Sequence, residues 1–335
     1  MKVGLVGFAG GGKSTVFAAL SGVDPSAGKG GLGTIRVPDE RVDRLSALCH
    51  PRKTTYAEVV FQDFAAGSFG SSSISAAVLG HMRNLDVLAE VVGCYGTEGM
   101  EALQAKAAAF HAELLLADQA VIEKRLDRLT REKGDPLERA TLERCLATLE
   151  QDRELRELDL DAQQTALLSP YKFLTLKPRL VLANTGEDQV GVAATSSAGA
   201  AVIPVVVMSA PIEWEISRLE AAERREFLAD LGLEYAAGER FVRACYALLD
   251  LIVFLTAGED EVRAWPLRRG SCALEAAGKI HSDIARGFIR AEIIAFDDYI
   301  EFGGEAGCRH AGRARVEGKD YIMADGDIAH FRFNV

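Results

Sequence analysis

Five short apolar runs punctuate the chain, at Val3–Val6, Val59–Phe61, Leu85–Val92, Leu180–Ala183 and Val202–Val207, and several end in glycine or polar turn residues. Continuous apolar runs of this length predict strands buried on both faces of a parallel sheet. Helical stretches separate them, which predicts an α/β domain. Between the third and fourth runs about ninety residues show no strand pattern. Ala107–Leu158 is instead rich in Ala, Leu, Glu and Arg, with Leu115, Ile122 and Leu129 one heptad apart and Leu126 in the intermediate apolar position. Gly134-Asp135-Pro136 interrupts this before a second apolar series, Leu142, Leu146 and Leu149. The pattern predicts an antiparallel helical hairpin inserted into the α/β domain and packed mainly on itself. Beyond about residue 250 the texture changes to strand-like pieces, Val262–Leu267, Phe288–Ile294, Tyr299–Phe302, Tyr321–Met323 and His330–Phe333, with one helical segment, Cys272–Ile284. These predict a small mixed domain at the end of the chain.

A length of 335 residues suggests two or three domains, each with its own core. With 48% hydrophobic residues, disorder is excluded as the dominant state. The formal charge of −11 argues against a non-specific nucleic-acid coat, because phosphate contacts need Lys and Arg in excess. Its location changes that picture. Residues 1–100 carry nine side chains of each sign and residues 263–335 eleven of each, so the surplus lies wholly in residues 101–262, with 18 basic and 29 acidic groups. RNA is therefore not excluded as a partner of either end, and the acidic middle is the part expected to face away from it.

Cys49, Cys94, Cys145, Cys245, Cys272 and Cys308 are far apart, with no C-x-x-C pair, as suits reduced thiols in the cytosol. The N-terminal apolar run is too short for a signal peptide, and no stretch of about 18 apolar residues occurs elsewhere. The reading is a cytoplasmic, soluble monomer without a membrane partner. The six histidines show no metal-ligand spacing.

The chemistry begins at the first strand. Gly7-Phe8-Ala9-Gly10-Gly11-Gly12-Lys13-Ser14 fits G-x-x-x-x-G-K-[ST] between an apolar strand and a helical stretch, Thr15–Leu20. Ala9, Gly10, Gly11, Gly12, Lys13, Ser14 and Thr15 are thus candidate phosphate-binding residues. Their N–H groups can turn toward phosphate oxygens at the positive end of the helix. Lys13 would neutralise the β- and γ-phosphates, and the Ser14 hydroxyl would coordinate Mg²⁺. Asp63, at the end of the second apolar run, fits the acidic group that reaches the same cation. GTPases follow this Asp with D-x-x-G; here Ala66 stands in register and Gly67 comes one place late, with no following Gln to orient a water.

The base-reading element is Asn184-Thr185-Gly186-Glu187, with Ser209 and Ala210 offering backbone N–H groups from a second loop. GTPases use N-K-x-D there. In this chain Glu187 replaces the Asp and Thr185 the Lys that stacks on the base, so both ATP and GTP stand as candidate ligands.

These residues accumulate into a family resemblance. The chain resembles the YchF subfamily of Obg-related P-loop proteins, the Obg-like ATPases, as a divergent member. The likeness is carried by Val37–Arg41, Glu113–Asp118, Glu123–Leu126, Ala183–Asp188 and Glu226–Leu233. It is strongest in Ala276–His281, Gly287–Glu292, Glu317–Tyr321 and Asp325–Asp327. The resemblance implies a Ras-like P-loop NTPase domain (residues 1–100 and 172–250) with an inserted α-helical coiled-coil hairpin (101–171) and a C-terminal β-grasp (TGS) domain (251–335). It further implies slow Mg²⁺-dependent hydrolysis of ATP or GTP and association with ribosomes or RNA through the insert and the TGS-like domain.

The chain departs from the family at three places. Ala9-Gly10-Gly11 replaces Pro-Asn-Val, the segment between Lys13 and Pro38 is short, with Thr34 its candidate for a Mg²⁺-binding Thr, and Gly67–Ser73 replaces the usual glycine-rich switch. An alternative reading is therefore a nucleotide-binding scaffold without significant turnover. Arg309, His310, Arg313, Arg315 and Lys319, beside Phe302 and Tyr321, form a further candidate contact for RNA phosphates and bases. Cys308-Arg309-His310 also raises a thiol–imidazole pair, though adjacency in sequence does not make side chains face each other.

Overall fold

The computed structural model describes residues 1–22, 31–64, 69–70, 73–95, 99–132, 134–190, 196–198 and 201–334. They form two compact units, one of residues 1–35 and 59–245, the other of 36–58 and 246–335.

The first unit is built on a six-stranded sheet. In chain order its elements are strand β1 (Lys2–Val6), helix α1 (Lys13–Ser21) and strand β2 (Leu32–Arg36); helix α2 (Glu40–Cys49) and strand β3 (Lys53–Thr55) belong to the second unit. There follow β4 (Glu58–Gln62), α3 (Ala76–Met82), β5 (Val87–Cys94), α4 (Ala102–Glu132), α5 (Pro136–Leu149), α6 (Ala162–Leu168) and β6 (Arg179–Thr185). β7 (Ser196–Ala198), β8 (Ala201–Ile203), β9 (Val205–Met208), α7 (Ala210–Arg218), α8 (Ala221–Asp230) and α9 (Ala237–Leu248) complete it. The sheet order is β2-β4-β1-β5-β6-β9, with β4, β1, β5, β6 and β9 parallel. Every residue of β5 and β6 is buried, as continuous apolar strands in a parallel sheet require. The last apolar run is split at Pro204, which cannot donate to a ladder: β8 pairs antiparallel with β7, while β9 joins the main sheet.

The predicted hairpin is present, and α4 serves two cores. Its N-terminal half packs Phe110 and Leu114 against Val6, Leu88 and Leu174 under the sheet. Its C-terminal half lays Leu115, Ile122 and Leu129 against Leu142, Cys145 and Leu149 of α5, with Leu126 and Leu146 at the margin. The turn works as the Gly-Asp-Pro sequence suggests. Asp135 caps α5 by accepting from Leu137 N at 2.9 Å, and Pro136 sits where a helix needs no N–H. Arg125 of α4 reaches Glu138 of α5 through both Nε (2.9 Å) and Nη2 (2.8 Å).

In the second unit, β10 (Leu251–Thr256), β11 (Glu261–Arg268), α10 (Ala273–Ile280), α11 (Ser282–Arg286), β12 (Phe288–Ala295), α12 (Phe296–Glu301), α13 (Glu305–His310), β13 (Arg315–Glu317) and β14 (Asp327–Phe333) follow in order. Its sheet runs β13-β12-β14-β10-β11-β3, with β14 parallel to β10 at the centre. Residues 36–58, which the sequence reading places with the first hundred residues, supply the last strand and pack Val42, Leu45 and Ala57 with Val253, Leu255 and Val262. Two strand expectations give way. Tyr299–Phe302 falls in and just after α12, whose first turn holds Asp297 and Asp298, where carboxylates favour a helix start. Tyr321–Met323 contributes only a single bridge, Ile322 to Cys272.

Candidate functional site

The glycine loop follows β1 and ends in Gly12, whose φ of 82° places it in the left-handed region as the cap of α1. No side chain caps this helix, which leaves its first N–H groups to a ligand. Lys13 curls back over the loop and donates from Nζ to the carbonyls of Gly7 (2.9 Å) and Phe8 (2.7 Å). Two carbonyls thus hold the ammonium over the mouth of the loop. Burial lowers its pKa, and the charge of Asp63 offsets this only in part.

Asp63 stands just beyond β4, buried, and accepts hydrogen bonds from the Ser14 hydroxyl and the Phe64 N–H. Desolvation nevertheless holds its pKa above the usual carboxylate value, against those bonds and the charge of Lys13. Its Oδ1 has no hydrogen-bond partner. An orphaned carboxylate oxygen next to a serine hydroxyl is a donor pair that suits a hard divalent cation, completed by waters and phosphate oxygens. The Ser14–Asp63 pair is on that ground the candidate cation site.

The segment after Asp63 is described at Phe69 and Gly70; Ala66, Gly67, Ser68, Ser71 and Ser72 lie outside the described residues. Gly70 accepts from the Ala9 N–H at 3.0 Å, and the Phe69 ring lies 4.8 Å from Lys13 Nζ. A proline at position 9 would have no N–H for that bond. Thr34 sits exposed within β2.

Asn184, at the end of β6, joins the two loops that a nucleotide would span. Its Nδ2 donates to the Gly11 carbonyl (3.3 Å) and its Oδ1 accepts from Ala210 N (3.1 Å). Glu187 is exposed in a short turn just after the strand, and Ser209 is buried with its hydroxyl unpartnered. Thr185 is turned inward and donates to the Met208 carbonyl at 3.2 Å. The structure thus gathers Ala9–Ser14 with Asp63, and Asn184 with Ala210.

A network of charged residues that begins beside the loop escaped the sequence reading. A cavity of about 160 Å³ is lined by Phe8–Gly11, Glu90–Gly93, Tyr95 and Lys106. Glu90 is fully buried in its wall and pairs with Arg179 Nη1 at 3.2 Å, while Arg179 Nη2 donates to Glu154 at 2.9 Å. Glu154 also meets His111 Nδ1 (3.1 Å) and Arg156 Nε (2.6 Å). The available signal was a lone charge inside each of two apolar strands, Glu90 in β5 and Arg179 in β6, since a buried charge needs a partner.

In the second unit the basic cluster is largely neutralised. Arg309 pairs with Glu292 and Glu305, Arg313 with Asp298, and Arg315 with Glu317 and Asp327. Cys308 Sγ donates to the Asp298 carbonyl, so it does not face His310 as a nucleophile.

A helix start with free N–H groups, flanked by a held lysine and an acid–hydroxyl pair, is built for phosphate, and the class is the P-loop nucleotide-binding proteins. Residues 251–334 match a family model described as YchF-GTPase_C, a protein of unknown function (DUF933). Over 369 residues the chain is 34% identical to the ribosome-binding ATPase YchF of Bacillus subtilis, covering 100% of both. It is 37% identical over 364 residues to the protein of that name from Haemophilus influenzae, covering 100% of this chain and 99% of that one. The solved structure of the Schizosaccharomyces pombe YchF GTPase matches with a TM-score of 0.84 at 26% identity, covering 99% of this chain and 97% of that one. The chain belongs to the YchF family. No helix among its described residues is long and apolar enough to cross a membrane.

Proposed function

We propose that the chain binds ATP or GTP with Mg²⁺ at the glycine loop, hydrolyses it slowly to the diphosphate and inorganic phosphate, and does so in association with ribosomes. The observation that carries the reading is Lys13 held over the mouth of its own loop beside the Ser14–Asp63 pair. In this reading Ala9–Thr15 cradle the phosphates, Ser14 and Asp63 hold Mg²⁺, and Asn184, Thr185, Glu187, Ser209 and Ala210 form the base side. When bound, Mg²⁺ would neutralise charge developing on the transferring phosphoryl group. The chain's own contribution is positioning, with a water held by backbone groups as nucleophile. Association with ribosomes rests on the name that the full-length relatives carry.

Single-turnover hydrolysis of ATP and GTP with Mg²⁺, wild type against Lys13→Ala, tests this. Phosphate release that depends on Lys13 is expected. Tight nucleotide binding with no Lys13-dependent release would leave the scaffold reading, which the ATPase and GTPase names of the relatives do not favour.

A further inference from the structure

We infer that nucleotide binding is coupled to the uptake of a proton at Glu90. When a triphosphate fills the glycine loop, this buried carboxylate becomes the carboxylic acid, so affinity falls as the medium turns alkaline. The coupling rests on the nucleotide reading proposed above and belongs to a residue outside the phosphate, cation and base contacts already named.

Glu90 stands directly behind the loop. Its partner across the sheet is Val6, the residue before Gly7. The Val91 carbonyl lies 2.6 Å from where a β-carbon on either Gly7 or Gly11 would stand, so the loop rests on β5 at the residue after Glu90. Glu90 also lines the cavity that Phe8, Ala9, Gly10 and Gly11 share. Bare glycine backbone offers no side chain to shield the carboxylate from an anion on the loop, and buried charges are screened far less than exposed ones. An ionised Glu90 and bound phosphates therefore repel one another.

Glu90 is also the member of its network that gives up its charge most easily. Arg179 of β6 is shared between two carboxylates. Glu154, in the segment after α5, receives Arg179 Nη2 at 2.9 Å, Arg156 Nε at 2.6 Å and His111 Nδ1 of α4 at 3.1 Å. Among the described residues Glu90 pairs with Arg179 Nη1 alone, at 3.2 Å. Lys106 of α4 lines the same cavity and donates to the Gly93 carbonyl at 2.9 Å. Protonating Glu90 leaves Arg179 paired with Glu154, so no isolated buried charge results. Burial brings the group close to that transition, raising its pKa to about 8 against the charge of Arg179, with the Glu154 charge adding to the rise. Phosphates on the loop raise it further, and linkage makes the effect reciprocal: what favours the proton on Glu90 favours the nucleotide.

The test titrates the full chain with ATP and with inorganic tripolyphosphate, both with Mg²⁺, at pH 7, 8 and 9, comparing wild type with Glu90→Gln, which is neutral throughout. Lys13 and Asp63 are present in both chains, so the ratio of their affinities reports position 90. That ratio, wild type over Glu90→Gln, should be near one at pH 7 and fall about three- to tenfold by pH 9 for both probes, a pKa rise of one unit setting a tenfold limit. Calorimetry at pH 8 in two buffers of different ionisation heat should record about 0.3–0.5 more protons taken up per ATP by wild type than by Glu90→Gln. A ratio that does not change with pH, or equal proton uptake by the two chains, overturns the coupling. Tighter binding by wild type than by Glu90→Gln at pH 9 overturns it as well, since the carboxylate would then support the loop instead of repelling its ligand. So does a ratio that falls for ATP and not for tripolyphosphate, because the charge would not be acting on the phosphates. A wild-type chain that binds neither probe at any pH, and is matched in this by Lys13→Ala, would instead remove the nucleotide reading itself.

Discussion

Asn184 and Gly12 are packed so closely that a β-carbon on Gly12 would stand 2.3 Å from Asn184 Nδ2. Position 12 also has a φ of 82°, which a side chain strains. The loop and the base-side asparagine therefore depend on one another. Gly12→Ala should push the Asn184 amide off the Gly11 carbonyl and weaken ATP binding at least about tenfold, beyond a strain cost of about 1–2 kcal/mol. Asn184→Ala leaves the buried Ala210 N–H unpaired and should cost about 1–3 kcal/mol in stability as well as affinity. Calorimetric titration and thermal unfolding of both variants check this; wild-type affinity in Gly12→Ala would show that the packing is irrelevant to binding.

Asp63 carries a conflict between stability and function. Burial raises its pKa, so the native state holds a proton that the unfolded chain releases. That contribution is full below the ordinary value of 3.8 and is lost as pH rises through the folded value. Asp63→Asn should consequently raise the melting temperature of the nucleotide-free protein at pH 7–8 more than near pH 4, while abolishing the Mg²⁺ dependence of ATP binding. Mg²⁺-assisted binding by the wild type should weaken on acidification at a pH above the usual carboxylate range. Unchanged Mg²⁺ dependence in Asp63→Asn would remove it from the cation site.

Arg179 lies between two buried carboxylates, Glu90 and Glu154. Arg179→Met strips both of this partner and should destabilise the fold by about 3–5 kcal/mol at pH 7, as breaking a buried pair does. The carboxylates differ. Burial pushes Glu90 up to about 8, against the charge of Arg179, whereas Glu154 sits below its ordinary value because the His111 hydrogen bond and the charges of Arg179 and Arg156 outweigh desolvation. The stability that Glu90 contributes is thus full below about 4.5 and is lost as pH rises through about 8. Glu90→Gln should flatten the fall in stability over that window. Denaturant unfolding at several pH values reads both effects, and an unchanged slope in Glu90→Gln would reassign it.

Ribosome binding, if it uses the second unit, should depend on the basic groups that local carboxylates leave alone. Among the described residues Lys319 has no ion pair, whereas Arg309 has two. Lys319→Ala should reduce the slope of log affinity against log salt by about 0.9, the contribution of one phosphate contact, and Arg309→Ala should change it by less. Salt-titrated cosedimentation measures this; a flat response in the wild type would exclude phosphate contact altogether.

The sequence by itself determined whatever depends on neighbours along the chain. The glycine loop, Lys13 and Ser14 are legible because a strand, a turn and a helix start follow within a few residues. The insert is legible because Leu115, Ile122 and Leu129 share one helix face and Asp135-Pro136 can only begin a new helix. Asp63 is legible as the first carboxylate after an apolar strand. Tertiary structure alone decided the remainder, because those features are pairings between distant residues. Lys53–Thr55 lies outside every apolar run and became a strand only by lying parallel to Glu261–Arg263. Tyr299 lost its strand-like reading when Asp297 and Asp298 started a helix and its ring was drawn into a core with Val42 and Leu45. Thr185 was turned inward, onto the Met208 carbonyl, for the same reason. Which side chain faces the site at the end of a strand is set by the register of β5 against β6, and register is fixed by burial across the whole sheet.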